Sequence, residues 1–138
     1  AHRAVVVGEA DDPHVFHALA LGFTDDDGSV RYYGTYTAYN GRQILPQIVE
    51  MREPSVARVR TLHGRCARNK GLALFPRKVG GCFMMSGRID GENLFILRSD
   101  NVLIWDEAVK VQEPWFPWEV IQIGNCGSPS RRRPAGCC

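Results

Sequence analysis

A cation and a carboxylate at the end of one apolar run are the residues whose types first point to chemistry. Arg88 closes the run CFMMSGR, where a surface charge has no packing reason to stand. Asp90 follows two residues later and is close enough to orient the guanidinium. Guanidinium groups recognise carboxylates and phosphates through paired, charge-assisted hydrogen bonds. The pair therefore indicates a site for an anion or another polar ligand.

Three aromatic residues are candidates for contact with sugar. Tyr36, Tyr39 and Trp105 present apolar ring faces, and pyranose C–H groups can stack on such faces. Core packing is the commoner role, and we predict it for Trp105. We expect Asp100 and Asp106, which follow Ser99 and Trp105, to hold turns through Asx hydrogen bonds.

Other sequence signals restrict the chemistry further. The sequence has no GxSxG elbow, P-loop or HExxH motif, although the members of a Ser-His-Asp triad need not be close in sequence. The cysteines show no CxxC spacing, and free thiols in a reducing compartment are the expectation. No metal site is predicted, since His63 and Cys66 are the only close pair of plausible ligands outside the tail. The five cysteines are Cys66, Cys82, Cys126, Cys137 and Cys138.

Composition is that of an ordinary globular protein. At 138 residues the chain forms one domain at most, and its 44% apolar and 23% charged content is unremarkable. The net charge of +2 is too small to indicate a nucleic-acid partner. No apolar run approaches a membrane span, and the N-terminus lacks the apolar core of a signal peptide. We therefore expect a cytoplasmic protein with no membrane or nucleic-acid partner.

Turn signals divide the chain into short apolar runs that predict strands. Asp-Gly, Asn-Gly and Gly-Gly pairs stand between these runs, and such pairs are typical of hairpins. Pro46 places its strand near an edge or a bulge, and the run 14–23 fits either a strand or a helical turn. Strands are predicted at 3–7, 30–38, 43–51, 55–62, 72–76, 82–87 and 94–98, with a further unit beginning at 115–123. This spacing predicts an all-β fold of antiparallel four-stranded blades, as in a β-propeller.

Several separated motifs carry a family resemblance. The segments LFPRKVGG, SGRIDGENLFILRSDN and IWD, with DDDGSVRYYGTYTAYNGR upstream and PWEVIQIGNCGSP downstream, lie between about Gly22 and Pro129. Together they resemble the glycosidase and β-mannoside phosphorylase family of five-bladed propellers (glycoside hydrolase family 130). The resemblance implies that residues 1–129 are part of a longer propeller domain and that 130–138 form an atypical basic tail ending in cysteine.

The resemblance also implies a phosphate site. It places Lys70 and Arg88 at two phosphate-contacting positions of the phosphorylases, with inorganic phosphate as a co-substrate and no resident cofactor. The family has an asparagine just after the first position, where this chain has Gly71. Hydrolysis and simple sugar binding therefore stay open beside phosphorolysis.

Glycoside cleavage further needs a group that protonates the leaving oxygen. The resemblance places this acid in an early aspartate motif, to which Asp12 is the nearest candidate, and Asp90 is the second carboxylate to consider. A solvated turn aspartate is the competing interpretation of Asp12. Glu119 lines the central cavity in the full family or is simply exposed here. The residues implied for substrate binding are Tyr36, Arg88, Asp90 and Glu119.

Three functions remain in competition. The first is a glycoside hydrolase or phosphorylase that acts on β-mannosides or related oligosaccharides. The second is a non-catalytic propeller remnant that self-associates or binds sugar weakly, and the third is another hydrolase, such as an esterase. A homo-oligomer is expected, because part of a propeller leaves strand edges and an apolar blade face uncovered.

Overall fold

The computed structural model describes residues 15–53 and 56–119, which fold into two antiparallel four-stranded sheets. The first sheet contains β1 (Val15–Thr24), β2 (Val30–Tyr39), β3 (Ile44–Glu53) and β4 (Val56–Thr61), in that spatial order. The second contains β5 (Ala73–Leu74), β6 (Phe83–Gly87), β7 (Leu94–Ser99) and β8 (Glu107–Gln112). A 3-10 turn at Pro117–Glu119 follows. The prediction of an all-β fold with antiparallel four-stranded sheets is confirmed.

The hairpin turns form where the sequence signals stand. Between β5 and β6, Gly80 and Gly81 both have positive φ, 59° and 78°, while Val79 and Cys82 exchange backbone hydrogen bonds of 2.9 and 3.3 Å. Two consecutive positive φ angles give the turn a twist that matches the flanking strands. Asn40 holds the β2–β3 turn instead through its side chain, whose Oδ1 accepts hydrogen bonds from the N–H groups of Arg42 and Gln43.

Strand limits differ from the prediction in three places. The ambiguous run 14–23 becomes β1, with a bulge between Phe16 and Leu19. The predicted strand 72–76 shortens to Ala73–Leu74. The fourth strand of the second sheet, Glu107–Gln112, was not predicted, because its sequence EAVKVQ carries charges on an exposed edge. The remaining predicted strands that fall within the described residues are confirmed to within a few residues.

Pro46 was predicted to place its strand near an edge or a bulge, and β3 is the neighbour of edge strand β4 and has a register shift between Met51 and Glu53. Pro46 lies in β3, which pairs with β2 on one side and β4 on the other. The Pro46 carbonyl accepts a hydrogen bond from the N–H of Leu62 at 2.9 Å, just beyond the last ladder pair, Gln47 with Thr61. In an antiparallel pair the N–H and C=O of one residue point to the same partner. The backbone of Pro46 therefore faces β4 just beyond the last paired residues, and the N–H that proline lacks removes no hydrogen bond from within the β3–β4 ladder.

The core lies between the two sheets. Phe23 of β1 stacks on Phe83 of the second sheet with ring centroids 5.4 Å apart, and Tyr33 meets Phe23 edge-on at the same distance. Trp105 is fully buried, so the prediction that it packs in the core is confirmed. The buried cluster is formed by Phe23, Tyr33, Ile48, Leu62, Cys66, Leu72, Leu74, Met85, Leu97 and Trp105.

Polar contacts also join the sheets along β1 and β5. The N–H of Thr24 donates to the Pro76 carbonyl at 2.9 Å, and Thr24 forms a parallel bridge with Arg77. The Thr35 hydroxyl of β2 donates to the Leu72 carbonyl at 2.7 Å. The end of β1 and the chain after β5 therefore run side by side in the same direction.

Some predictions fall outside the described residues. These are the strand at 3–7, Asp12, most of the unit that begins at 115 and the tail at 130–138. Cys66 and Cys82 are buried free thiols, and the other three cysteines lie outside. Within the described part, no helix is long and apolar enough to cross a membrane.

Candidate functional site

The register of β5 against β6 decides where the two predicted phosphate-binding residues lie. Ala73 pairs with Ser86 and Leu74 with Met85. One step before Ala73, the same register sets Leu72 opposite Gly87. A Cβ added to Gly87 would lie only 2.3 Å from Cδ2 of Leu72, so the two chains are in close contact at this level.

Continued one residue further, the register brings Lys70 and Arg88 to the same end of the second sheet. Gly71 falls level with Arg88, and Lys70 is its neighbour in the chain. Lys70 is exposed, whereas Arg88 is 8% exposed. Of the two cations at this end of the sheet, Arg88 is therefore buried and Lys70 is exposed.

Asn69 belongs to this end of the sheet and was not singled out from the sequence. It has a positive φ of 65°, and its side-chain Oδ1 accepts a hydrogen bond from the N–H of Lys70 at 3.0 Å. Its Nδ2 lies 3.0 Å from where a Cβ on Gly91 would stand. The Lys70 loop therefore rests against the turn that follows Arg88. An asparagine before Lys-Gly was the available signal, since asparagine tolerates positive φ.

The Asp90 carboxylate stabilises the turn between β6 and β7. Its Oδ1 accepts hydrogen bonds from the N–H groups of Glu92 and Asn93, both at 2.9 Å, and its Oδ2 accepts one from the Asn93 amide at 2.6 Å. Desolvation raises the pKa of Asp90, but these hydrogen bonds together outweigh it and leave the pKa below its usual value. A general acid instead needs a raised pKa. These contacts give Asp90 the role of a residue that holds the turn after Arg88.

Two other predicted substrate-binding residues are placed elsewhere. Tyr36 follows Thr35 in β2, and because Thr35 points to Leu72 in the second sheet, alternation sets Tyr36 on the opposite face. Glu119 closes a local turn, where its Oε2 accepts hydrogen bonds from the N–H groups of Trp115 at 2.8 Å and Phe116 at 3.1 Å. These bonds lower the pKa of Glu119. The structure does not group either residue with Lys70 and Arg88.

A cavity of about 350 Å³ lies at the far end of β7 and is lined by none of the predicted site residues. Beside it, the Cys82 thiol contacts Arg98 Nη2 and Asp100 Oδ1, each at 3.1 Å. Asp106 accepts a hydrogen bond from the N–H of Arg65, 41 residues away in sequence, at 2.8 Å. Asp100 and Asp106 thus contact residues that are distant in sequence, whereas the sequence predicted that they hold local Asx turns. The cavity is lined by Arg98, Ser99, Asp100, Asn101, Ile104, Asp106 and Glu107.

Ion pairs occupy the opposite end of β5 from Lys70. Lys78 binds Asp25 at 2.9 Å and Asp26 at 3.3 Å, joining the second sheet to the first. Buried Glu50 is flanked by Arg31 at 3.6 Å and Arg60 at 2.8 Å. The hydrogen bond to Lys78 is the main reason that the pKa of Asp25 falls below its usual value. Because opposite charges meet within this cluster, we assign it a structural role.

Comparison with known proteins adds no family assignment. No protein-family model matches the chain, and no curated protein matches it. Among the described residues, no group of three or more His, Cys, Asp or Glu side chains is placed to hold a metal ion. Of the predicted site residues, Lys70 and Arg88 are the two that the structure brings toward the same end of the second sheet.

Proposed function

We propose that this chain is part of a five-bladed β-propeller from a carbohydrate-active protein, a glycoside hydrolase or phosphorylase that acts on β-mannosides or related oligosaccharides. The observation that carries the site is the β5–β6 register, which puts Lys70 and Arg88 at one end of the second sheet. Both sheets are four-stranded and antiparallel, as propeller blades are. The chain leaves the outer strand β4 and enters the next sheet through β5, beside β1.

In this proposal the two cations hold oxygen atoms of the ligand. Arg88, fixed in the protein, donates from a planar guanidinium, and exposed Lys70 adds a mobile charge. Inorganic phosphate, acting as a co-substrate, fits this charge better than a neutral sugar does. Asp90 keeps the turn that presents Arg88 in shape, because its hydrogen bonds span Glu92 and Asn93.

A second function, binding without cleavage, is favoured by the state of Asp90. The hydrogen bonds that its two oxygens accept from Glu92 and Asn93 close the turn, and the pKa of Asp90 is lowered. A carboxyl group of that kind stays ionised at neutral pH and has no proton to give to a leaving oxygen. A non-catalytic remnant that binds phosphate or sugar weakly is consistent with this geometry.

A phosphate titration tests the site shared by both functions. We expect inorganic phosphate to bind the wild type, and Lys70→Ala and Arg88→Lys to bind it about tenfold more weakly, because each removes a charge-assisted contact. Arg77→Ala is the matched control, since exposed Arg77 lies at the other end of β5. Equal affinities in all four proteins, measured by calorimetry, would remove Lys70 and Arg88 from the proposal.

A further inference from the structure

The turn between β2 and β3 places an asparagine directly before a glycine on the surface of the protein. Asn40 and Gly41 are both exposed, and the φ of Gly41 is 85°. A Cβ built on Gly41 would meet no atom within 4 Å outside its two neighbours in the chain. The backbone nitrogen of residue 41 is therefore not shielded by a side chain of its own.

The Asn40 side chain folds back along the chain over Gly41. Its Oδ1 accepts hydrogen bonds from the N–H groups of Arg42 at 3.0 Å and Gln43 at 2.9 Å, the two residues that follow the glycine. The N–H of Gly41 itself donates no hydrogen bond within the part of the chain that the structure describes. The side-chain carbonyl is thus held beside a backbone nitrogen that is not engaged there.

Two N–H groups on one carbonyl oxygen favour attack on its carbon. A nucleophile that adds to Cγ of Asn40 moves negative charge onto Oδ1, and donors at about 2.7–3.1 Å stabilise such an oxyanion. The distances from Arg42 and Gln43 lie in this range. The nucleophile that the chain supplies is the backbone nitrogen of Gly41, because its attack closes a five-membered ring.

We propose that Asn40 is a site of spontaneous deamidation. The Gly41 nitrogen loses its proton to solvent base and bonds to Cγ of Asn40. The Cγ–Nδ2 bond then breaks, and Nδ2 takes up a proton and leaves as ammonia. Water opens the resulting succinimide at either carbonyl, which gives aspartate or isoaspartate at position 40. Water is the only reagent consumed, and the inference stands apart from any sugar chemistry.

The two products change the hairpin in opposite ways. Aspartate keeps an oxygen that accepts from the N–H groups of Arg42 and Gln43, and its negative charge strengthens these hydrogen bonds. Isoaspartate instead adds a methylene carbon to the main chain, next to the pair of Tyr39 with Ile44 that ends the β2–β3 ladder. Either product lowers the formal net charge of +2 by one.

Peptide mapping of the whole, folded chain by mass spectrometry tests the proposal. At mildly alkaline pH the Asn40 peptide should gain the mass of an amide-to-acid conversion, and it should do so more slowly in mild acid because the attacking nitrogen must lose its proton. Asn101 is the control within the same sample, since its Oδ1 also accepts from a backbone N–H, that of Leu103 at 2.9 Å, but Val102 follows it. We expect Asn101 to react about tenfold more slowly or less, because a β-branched side chain crowds the nitrogen.

Two variants complete the design. Asn40→Asp supplies the aspartate product as a standard for ion-exchange chromatography, and the aged wild type should form an acidic peak that elutes with it. Asn40→Ser keeps an oxygen in the turn but has no amide, and should not form that peak. An Asn40 amide that stays intact, or that reacts no faster than Asn101, would overturn the proposal. A folded rate about tenfold below the rate in guanidinium chloride would also overturn it, because the reaction would then need local unfolding of the turn.

Discussion

Gly64 lies directly against the backbone of Trp105. A Cβ at position 64 would stand 2.4 Å from the Trp105 carbonyl oxygen, and the φ of Gly64 is 107°. Hydrogen bonds flank the contact: the N–H of Trp105 donates to the His63 carbonyl at 2.8 Å, and the N–H of Cys66 donates to the Trp105 carbonyl at 2.9 Å. This point joins the chain leaving the first sheet to the β7–β8 connection of the second.

We predict that Gly64→Ala destabilises the protein strongly. The new methyl group meets backbone atoms that cannot rotate away, and a residue with a side chain is strained at this φ. The two effects together should lower the free energy of unfolding by about 2–5 kcal/mol. Urea denaturation measures the loss.

Gly41→Ala is the control for backbone strain alone. Its φ is 85°, but no atom lies within 4 Å of the added Cβ, so we expect a loss of about 1–2 kcal/mol. Equal losses at both positions would show that the contact with Trp105 adds nothing.

The Lys78–Asp25 ion pair should make stability depend on pH in the acid range. The pKa of Asp25 in the folded protein lies below its ordinary value, chiefly because Lys78 donates a hydrogen bond to this carboxylate. The contribution is therefore fully present above the unfolded pKa and lost as pH falls through the folded pKa. Lys78→Met should lower the melting temperature at neutral pH and flatten its fall in acid.

Lys110→Met is the matched control for that series. Lys110 pairs with Glu113 three residues away, so this ion pair does not join the sheets. Thermal melts followed by circular dichroism between pH 2 and pH 7 compare the variants. An acid limb of unchanged steepness in Lys78→Met would show that the pair does not link the sheets energetically.

Local signals predicted most of the fold, and tertiary contacts decided the rest. Hairpin residues such as Gly80, Gly81 and Asn40 need particular backbone angles or caps, so their turns can be predicted from sequence. The strand 107–112 was missed because an exposed edge carries few apolar residues. Pro46 predicted a strand near an edge or a bulge, but which of the two neighbouring strands its backbone faces depends on the partner strands β2 and β4.

The site was predictable only as a list of residue types. Arg88 stands out as a charge at the end of an apolar strand, but its nearness to Lys70 follows from the β5–β6 register. The burial of Glu50 between two arginines and the contact of Cys82 with Arg98 depend on side chains from different strands. No local spacing in the sequence specifies such contacts.

Replacing Asp90 distinguishes between its two possible roles, a residue that stabilises the turn and a catalytic acid. Asp90→Asn replaces one of the two accepting carboxylate oxygens with an N–H₂ donor. The new donor faces either the Asn93 amide or the backbone N–H groups of Glu92 and Asn93, and the remaining hydrogen bonds are no longer charge-assisted. We expect a loss of about 1 kcal/mol in unfolding free energy and a weaker phosphate affinity as the Arg88 turn loosens. Asp27→Asn, at an exposed turn carboxylate that accepts a hydrogen bond from the N–H of Ser29, is the control for phosphate affinity. Unchanged stability with abolished turnover would instead identify Asp90 as the acid.

The last prediction concerns turnover. Cleavage of a glycoside needs an acid and a group that activates water or phosphate on opposite sides of one sugar. Lys70 and Arg88 can supply part of the second requirement, whereas Asp90 holds its turn with a lowered pKa. Because general acid catalysis typically contributes about 10²–10⁴-fold, we expect the isolated chain to bind short manno-oligosaccharides weakly and to cleave them very slowly. Chromatography of the sugar or sugar phosphate released, with and without added phosphate, measures this turnover.

Rapid release would overturn the expectation and make Asp12 the first carboxylate to replace, through Asp12→Asn. Activity that survived in both Asp12→Asn and Asp90→Asn would place the acid at a third residue.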